Sequence, residues 1–540
     1  MSRTLRSDPP VTAPRTGPAP GPERLGRFLA RAAAVTAVLS LAGAVLGLVR
    51  DQSIAHLFGA GAESDAFLVA WTVPEMASTL LIEDGMALLL VPAFSHALAR
   101  RQAHTTGPDP VRALIAATLP RLLVFLACVT ILLLVGAPVL VELLAPGLQR
   151  PDVAVACTRL TAVTLLTFGV AGYFSAALRA HRRFLSPATI YVAYNVGIIG
   201  SVLLLHGIWG IQAAAVGVGL GSVLMVLVQL PSFLRSRAQG APLRRTDRMD
   251  TARPALVSLA VLAPVVLFTV SRQLQVVVER FLAAGLPAGA ISHLNYAQKV
   301  AQMPMVLSLM ICTVTFPVVA QAMADGNAHI VRERVRRDLA AAALVVLTGT
   351  ALVVGYAPQI IEVLFQRGAF DATDTAATAQ VMRVYALGLL GQCLVGALCR
   401  PYFSASRPTW YPLAAMAAGL VTSTVLGALS VERWGAYGIA AANATGITLA
   451  GVLLLRGLGS RVAAIPVGPV LLTLSRLIAA CAVTAAAGWW LGPQVPNALL
   501  SLGLGCVLVP VLFAASALAL RAPEVGDVLE LLQRKVGHAR

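Results

Sequence analysis

The sequence predicts an all-α protein that crosses the membrane many times. Of its 540 residues, 58% are hydrophobic and 12% are charged, and the mean hydropathy is +0.80, whereas soluble domains carry about a quarter charged residues. Apolar runs of about 20 residues, the length of a helix that spans a bilayer, follow one another along the chain. These observations exclude a soluble protein. The net charge of +17 needs no nucleic-acid partner, because cytoplasmic loops of membrane proteins are rich in Arg and Lys.

Fourteen membrane-spanning helices are predicted from the apolar runs. Their centres lie near residues 38, 80, 130, 167, 196, 222, 268, 305, 350, 390, 419, 446, 480 and 509. Before the first of them, residues 1–24 are rich in Pro, Gly and Arg and lack the apolar core and cleavage site of a signal peptide. This segment is predicted to be a disordered cytoplasmic tail.

The orientation follows from the positions of the basic residues. If the N-terminus is cytoplasmic, 30 of the 41 Lys and Arg residues fall in the two tails and the even-numbered connections, and five fall in or beside the odd-numbered connections. An excess of basic residues marks the cytoplasmic side. The alternation also supports an even number of spans, so both termini are predicted to be cytoplasmic.

Spans 1–6 and 7–12 are predicted to be two copies of one unit. The stretch ALRAHRRFLSP (177–187) resembles ALCRPYFSASRP (397–408), and WGIQAAA (209–215) resembles YGIAAAN (437–443). An even number of spans in each copy makes the repeat parallel, with a central cavity between two halves. The predicted organisation is a tail (1–24), a six-helix repeat (25–235), a basic cytoplasmic linker (236–252), a second six-helix repeat (253–458), two extra C-terminal transmembrane helices (459–521) and a cytoplasmic tail (522–540).

Ionisable side chains inside the predicted spans are the candidates for function. Such a group at bilayer depth costs at least about 2.5 kcal/mol, so it usually faces a cavity or a partner. Spans 1, 2, 7 and 8, which are equivalent pairs in the two copies, carry a cluster of them. They are Arg50 and Asp51 in span 1, Asp65, Glu75, Glu83 and Asp84 in span 2, Arg272, Glu279 and Arg280 in span 7, and Lys299 in span 8. We expect these residues to converge at the central cavity.

Lys299 is one of two lysines in the chain, and no charged residue is adjacent to it in the sequence. A lysine in a cavity acts as a point charge for a phosphate. The alternative is a lysine that extends to the membrane interface. The pair Glu83 and Asp84 is interpreted as a cation or proton site, or as the ion-pair partner of Lys299 or Arg272.

Other charged positions also keep more than one interpretation. Arg50 and Asp51 close span 1, where they form either a gate or a solvated interfacial pair. Asp65 is either part of a gate or the N-cap of span 2. Arg159 and Arg383 occupy corresponding places in spans 4 and 10, and we expect them to extend toward the membrane surface.

No catalytic site is predicted. The chain has no P-loop, no HExxH and no GxSxG motif. The seven cysteines lie in apolar runs and the eight histidines are scattered, without the spacing of a zinc site. We therefore expect no catalytic residue, no metal and no cofactor.

Three segments resemble signatures of one known family. They are VLGLVRDQSIAHLFGAGAESDAFLVAWTVPEM (45–76), VERFLAAGLPAGAISHLNYAQKVAQMP (278–304) and VLFQRGAFDATDT (363–375). Each is similar to a signature of the MurJ/MviN lipid II flippases, which belong to the multidrug/oligosaccharidyl-lipid/polysaccharide exporter superfamily. The resemblance runs from span 1 to at least span 12, and the count of fourteen spans agrees with it.

This resemblance implies a transporter in the bacterial plasma membrane that serves peptidoglycan synthesis, cell wall biogenesis and cell shape. It would move lipid II, the undecaprenyl-pyrophosphate-linked precursor, from the inner to the outer leaflet by alternating access, driven by the membrane potential or an ion gradient. Its partners would be lipid II, membrane lipids and cell-wall synthesis proteins. A cationic cavity would receive the pyrophosphate, and a groove of the two extra spans would hold the lipid tail.

The resemblance also implies roles for the candidate residues. Arg50, Asp65, Glu83 and Glu279 fall on matching positions, and Lys299 stands where the family usually has arginine. The predicted substrate-binding residues are Arg50, Lys299, Ser78 and Arg272, and the predicted gate or ion-linked residues are Asp51, Asp65, Glu83, Asp84 and Glu279.

Three departures from the family pattern point to a divergent member. Ala44 and Ser78 occupy two positions where the family typically has cavity arginines, and Gln298 replaces an acidic residue beside Lys299. Fewer cations weaken pyrophosphate binding, because charge-assisted contacts to phosphate are the strong ones. Three alternatives therefore stay open: an exporter of another polyprenyl-linked polysaccharide, a cation-coupled drug antiporter of the same superfamily, and a non-transporting scaffold for envelope assembly.

Overall fold

The structure is a computed structural model, and it describes residues 22–103, 109–238, 259–325, 327–404, 410–461 and 467–521. Within these ranges the chain forms helices joined by turns, without a β-strand. The predicted C-terminal tail lies outside the described residues. So do residues 1–21 of the predicted N-terminal tail and residues 239–252 of the predicted linker.

The helices form two successive halves followed by a hairpin. The first half contains α1 (Pro22–Phe58), α2 (Ala62–Ser78), a π-helical segment (Thr79–Asp84), α3 (Gly85–Ala103), α4 (Pro110–Leu144), α5 (Pro151–Thr161), α6 (Val163–Ala180), α7 (Leu185–Trp209) and α8 (Gln212–Ala238). The second half contains α9 (Leu259–Ala283), α10 (Ala290–Ala301), α11 (Met303–Ala324), α12 (Ala328–Gly355), α13 (Ala357–Phe365), α14 (Ala372–Ala386), α15 (Leu389–Ser404) and α16 (Tyr411–Arg461). The hairpin consists of α17 (Val467–Leu491), a 3-10 turn (Gly492–Gln494) and α18 (Ala498–Ala519).

The same order of elements occurs in both halves. An unbroken helix (α1, α9) is followed by a helix that is interrupted part-way (α2 to α3, α10 to α11). A long helical segment (α4, α12 with α13) comes next, followed by a second interrupted helix (α5 to α6, α14 to α15). Each half then ends in two helices that pack against each other, α7 with α8 in the first half and the two parts of α16 in the second.

In each half a glycine with positive φ separates the last two helices. Gly210 separates α7 from α8 with φ +53°, and Gly435 breaks α16 with φ +51°. Glycine adopts this left-handed region without the steric penalty of a Cβ atom. The counterpart of Trp209 and Gly210 is therefore Trp434 and Gly435, so the predicted pairing of WGIQAAA with YGIAAAN is wrong by three residues.

Fewer of the described helices are long and apolar enough to span a membrane than the fourteen spans predicted. Ten of the described helices are long and apolar enough to cross a membrane, or eleven if the bent pair α14 and α15 is one span. One of the ten is α16, whose break at Gly435 lets it account for two predicted spans. The chain is thus a multi-pass helical membrane protein, and the count of fourteen stays a prediction.

The two halves contact each other at one end of the bundle, here called the Gly59 end. At this end α1 and α9 finish and α2 and α10 begin. Ala369 donates its backbone N–H to the His56 carbonyl oxygen at 2.8 Å. A Cβ atom added to Gly59 would lie 2.6 Å from the Ala369 carbonyl oxygen, and one added to Gly289 would lie 2.6 Å from that of Ala60. The backbones of the two halves therefore touch here.

The C-terminal hairpin packs on the second half. Tyr356, at the junction of α12 and α13, is buried, and Cβ atoms added to Gly488 and Gly505 would lie 3.1 and 2.8 Å from its ring. The guanidinium carbon of Arg383 lies 3.7 Å from the centre of the Trp489 ring. Close glycine packing and this cation–π contact hold α17 and α18 against α12, α13 and α14.

Candidate functional site

Three charged side chains from the two halves meet inside the bundle. Arg50 and Asp51 lie on α1, and Lys299 lies on α10. Arg50 donates to Asp51 Oδ1 from Nε at 3.0 Å and from Nη2 at 2.8 Å, and Lys299 Nζ lies 3.4 Å from Asp51 Oδ2. The side chains of Arg50 and Asp51 are only 11% and 10% exposed, and that of Lys299 is 29% exposed. We call Arg50, Asp51 and Lys299 the charge cluster.

This arrangement decides between the interpretations left open by the sequence. Arg50 and Asp51 are not a solvated interfacial pair, because both are largely buried. Lys299 has an ion-pair partner in Asp51, rather than in Glu83 or Arg272. The cluster carries two positive charges and one negative charge, so a net positive charge remains available to an anion.

Two residues that the sequence analysis missed complete the cluster. The ring of Trp71, on α2, faces both cations: its centre is 4.4 Å from the Arg50 guanidinium carbon and 5.3 Å from Lys299 Nζ. Asn195, on α7, accepts from Arg50 Nη1 at 3.0 Å and donates to the Gly43 carbonyl oxygen at 3.0 Å. The only sequence signal for Asn195 was an amide inside an otherwise apolar span. Nothing in the sequence distinguished Trp71 from a packing residue.

Asp65 links the two halves at the Gly59 end. Its carboxylate accepts hydrogen bonds from the backbone N–H groups of Gly289 and Ser292, both at 2.7 Å, and from the Ser292 hydroxyl at 2.6 Å. Asp65 therefore caps the N-terminus of α10 in the other half. Its own helix has Gly61 at the N-cap without a side-chain bond, so the interpretation of Asp65 as the cap of span 2 is wrong.

Glu279 lies within the second half, away from the charge cluster. It is buried on α9, where Tyr385 donates to its Oε2 at 2.7 Å and the Asn443 amide donates to its Oε1. Its neighbour Arg280 is also buried and donates to the Ile291 carbonyl oxygen at 3.3 Å. Both side-chain donors to Glu279 are neutral, so these hydrogen bonds stabilise the carboxylate without cancelling its charge.

Glu83 lies on the π-helical segment, where it is exposed and accepts a hydrogen bond from the Tyr191 hydroxyl at 2.8 Å. Among the described residues Glu83 is therefore not the ion-pair partner of Lys299 or Arg272, and the alternative interpretation of Glu83 and Asp84 as a cation or proton site stays a prediction. One turn earlier, Thr79 accepts from the Gln273 amide of α9 at 3.1 Å, which connects the segment to the second half. The side chain of Asp84 lies outside the described part of the structure.

The remaining candidates are not brought into the cluster. Arg272 is exposed, and no ion pair joins it to another described residue. Ser78 is half-buried at the end of α2, directly before the π-helical segment. Arg159 and Arg383 each donate Nε to a backbone carbonyl oxygen of the preceding long helix. The expected convergence at one point is thus replaced by separate groups at the charge cluster, Asp65, Glu279 and Glu83.

Comparison with known protein families gives one match over most of the chain. A family model described as "Lipid II flippase MurJ" matches residues 54–504. The "Probable lipid II flippase MurJ" of Synechocystis sp. is 27% identical, and the alignment covers 94% of this chain and 98% of that protein. The "Lipid II flippase MurJ" of Burkholderia cenocepacia is also 27% identical, over 80% of this chain and 84% of that protein.

Two solved structures share the fold of this chain. A structure described as "Lipid II flippase MurJ, inward closed conformation" superposes with a TM-score of 0.70 at 19% identity, covering 89% of this chain and 98% of that one. An inward-facing multidrug resistance transporter of the MATE family in the MOP superfamily gives a TM-score of 0.62 at 14% identity, covering 80% and 98%. At these identities the likeness concerns the fold alone.

Proposed function

Because this chain belongs to the MurJ family of lipid II flippases, which are membrane transporters and not enzymes, we propose that it moves lipid II across the bacterial plasma membrane. The substrate consists of a polyprenyl tail, a pyrophosphate and a saccharide-peptide head group. Movement runs from the inner to the outer leaflet by alternating access. The pathway lies between two six-helix halves of a fourteen-span protein whose termini are both cytoplasmic.

The charge cluster is the observation that carries this proposal. It joins the two halves inside the bundle and has a net positive charge, with Arg50 on one half and Lys299 on the other. A pyrophosphate is an anion that both cations can bind at once, and charge-assisted hydrogen bonds to phosphate are strong. Asp51 pairs with both cations in the described structure. Substrate binding then requires the pyrophosphate to replace Asp51 as the partner of Lys299.

The contacts at the Gly59 end support alternating access. With the predicted orientation, this end faces the outside, because α1 starts at the cytoplasmic tail and finishes here. The Asp65 bonds to α10 and the touching backbones of the His56 and Ala369 turns hold the halves together at this end. If this orientation holds, the contacts close the pathway on the outside, and the release of lipid II requires them to break.

The direct test uses bacterial cells depleted of every other lipid II flippase. Expression of this chain is expected to restore lipid II that is accessible at the outer leaflet, detected with an externally added enzyme or antibiotic that acts on lipid II. An empty vector is the negative control, and the amount of protein in the membrane is measured in parallel. If the chain reaches the membrane and accessible lipid II stays at the level of the empty vector, the proposed substrate is wrong.

One observation favours a second candidate, export of another polyprenyl-linked saccharide. Positions 44 and 78 carry Ala and Ser, whereas the resemblance noted in the sequence implies cations there, which would give a larger positive charge near the pathway. A panel of undecaprenyl-pyrophosphate saccharides bound to the purified protein separates the two candidates. Tighter binding of a saccharide other than that of lipid II, by about ten-fold or more, would favour the second candidate.

We propose that Glu279 couples transport to an ion gradient. A buried carboxylate with two neutral side-chain donors leaves a negative charge that a monovalent cation or a proton can neutralise. We expect Glu279→Gln to remove the dependence of transport on the ion gradient, because the glutamine carries no charge. Transport is measured in proteoliposomes with an imposed sodium or proton gradient.

The matched control for this measurement is Asp338→Asn. Asp338 is also a partly buried carboxylate of the second half, on α12, where it accepts from the Thr315 hydroxyl and pairs with Arg334. Because Asp338 already has a cationic partner, its variant is expected to keep the gradient dependence. A gradient dependence that survives in Glu279→Gln would contradict the assignment.

A further inference from the structure

Two polar side chains on one face of α7 bind charged residues of the first half. Tyr191 and Asn195 lie one helical turn apart, so their side chains point in the same direction. Tyr191 donates to Glu83 at 2.8 Å, and Asn195 accepts from Arg50 at 3.0 Å. Both contacts reach across to other helices, the π-helical segment and α1. This face therefore determines where two charges are placed.

Two glycines of α1 allow this face to come close. A Cβ atom added to Gly43 would lie 3.0 Å from the Cβ atom of Tyr191, and one added to Gly47 would lie 3.7 Å from the amide nitrogen of Asn195. The spacing of four residues places both glycines on the same side of α1. Small residues at this spacing let transmembrane helices approach closely. The short distance allows the Asn195 side chain to reach the α1 backbone.

The Asn195 amide is anchored before it binds the arginine. Its nitrogen donates to the Gly43 carbonyl oxygen, two turns before Arg50 on the same helix, and its oxygen accepts from Arg50 Nη1. Asn195 is 3% exposed, so its amide is largely shielded from solvent. Asp51 binds a different edge of the guanidinium group, through Nε and Nη2. Contacts on two edges leave the guanidinium little freedom to rotate.

We propose that Asn195 is a positioning residue that orients Arg50 for the substrate pyrophosphate without cancelling its charge. A carboxylate at this position would also orient the guanidinium, but it would reduce the net charge of the cluster to zero. An apolar residue would preserve the charge but free Nη1, so that Asp51 alone would orient the guanidinium. An oriented cation loses less conformational freedom when it binds an anion, which favours affinity. The amide satisfies both requirements, orientation and charge.

The inference rests on the proposed function and is tested by binding of undecaprenyl pyrophosphate to the purified protein at several salt concentrations. Asn195→Leu is expected to weaken binding about ten-fold while leaving its salt dependence unchanged, because the charge of the cluster is unchanged. Asn195→Asp is expected to weaken binding and also to flatten the salt dependence, because the net charge falls to zero. The maximal transport rate of Asn195→Leu should change much less than its apparent affinity.

Ser201→Ala is the matched control. Ser201 is another buried polar residue of α7, and it donates only to the Ala213 carbonyl oxygen of α8, away from the charge cluster. Thermal unfolding of all variants reports on folding, and Asn195→Asp, which is nearly isosteric, covers the case in which Asn195→Leu does not fold.

Two results would overturn the inference on its own: wild-type affinity in Asn195→Leu, or the same loss of affinity with the same salt dependence in both Asn195 variants. If the wild-type protein itself does not bind undecaprenyl pyrophosphate, the proposed function fails, and this inference fails with it.

Discussion

Replacing Lys299 by alanine is expected to abolish transport of lipid II. The change removes the cation that α10 contributes to the charge cluster and leaves Asp51 paired with Arg50, so the net charge of the cluster falls to zero. A hydrogen bond to a charged group contributes about 1.5–3 kcal/mol, so losing the bond from Lys299 to the pyrophosphate lowers the affinity about ten-fold or more. The measurement is the accessibility of lipid II at the outer leaflet of cells depleted of every other flippase.

Two variants serve as controls for this prediction. Lys299→Arg keeps the charge and restores the residue usual in the resembled family, so it is expected to retain transport. Gln298→Ala changes the preceding residue without altering the charge and should behave like the wild type. Full transport in Lys299→Ala, at a normal amount of protein in the membrane, would show that the charge cluster does not bind the pyrophosphate.

Replacing Asp65 by asparagine is expected to open the Gly59 end. The carboxylate accepts three hydrogen bonds from α10, and an amide in its place presents an N–H group to one of those donors. Hydrogen bonds to a charged group contribute about 1.5–3 kcal/mol each. Losing one of them shifts the ratio of closed to open molecules about ten-fold or more. Transport should fall, because a protein that stays open on the outside cannot load substrate from the inside.

The separation of the halves is measured directly by electron paramagnetic resonance. Spin labels at Glu63 and Arg367, both exposed and on different halves, report the distance across the Gly59 end in a protein whose seven native cysteines have been replaced. Glu333→Gln is the matched control, since Glu333 is a carboxylate of α12 that pairs with Arg336 and Arg337 inside the second half. An unchanged distance distribution in Asp65→Asn would rule out the role of Asp65 in closing this end.

The candidate site was only partly predictable from the sequence. Arg50, Asp51 and Lys299 stood out one by one, because charges are rare in apolar spans. Their association did not, since no rule of spacing connects α1 with α10. Asp65 illustrates the same limit. Its position at the start of a helix suggested a local cap, yet its bonds reach Ser292, 227 residues away in the sequence.

Asn195 shows why the supporting residues escaped detection. An amide in an apolar span is a weak signal by itself, and its partner Arg50 is 145 residues away. The contact exists only because α1 and α7 pack closely at Gly43 and Gly47. The turn at Gly435 is a similar case. The resembling stretches align Gly210 with Gly438, whereas the equivalent backbone turn lies three residues earlier, at Gly435.

Hydropathy and charge in the sequence alone determined the helical membrane class and the multi-pass architecture. These properties are local, because each helix must satisfy its own backbone hydrogen bonds in lipid and therefore needs its own apolar run. The tertiary structure alone decided that Asp51 joins Arg50 to Lys299, that Asp65 holds α10, and that Glu279 lies apart with Tyr385 and Asn443. Such pairings depend on how distant helices pack side by side, and the sequence of any one helix does not contain that information.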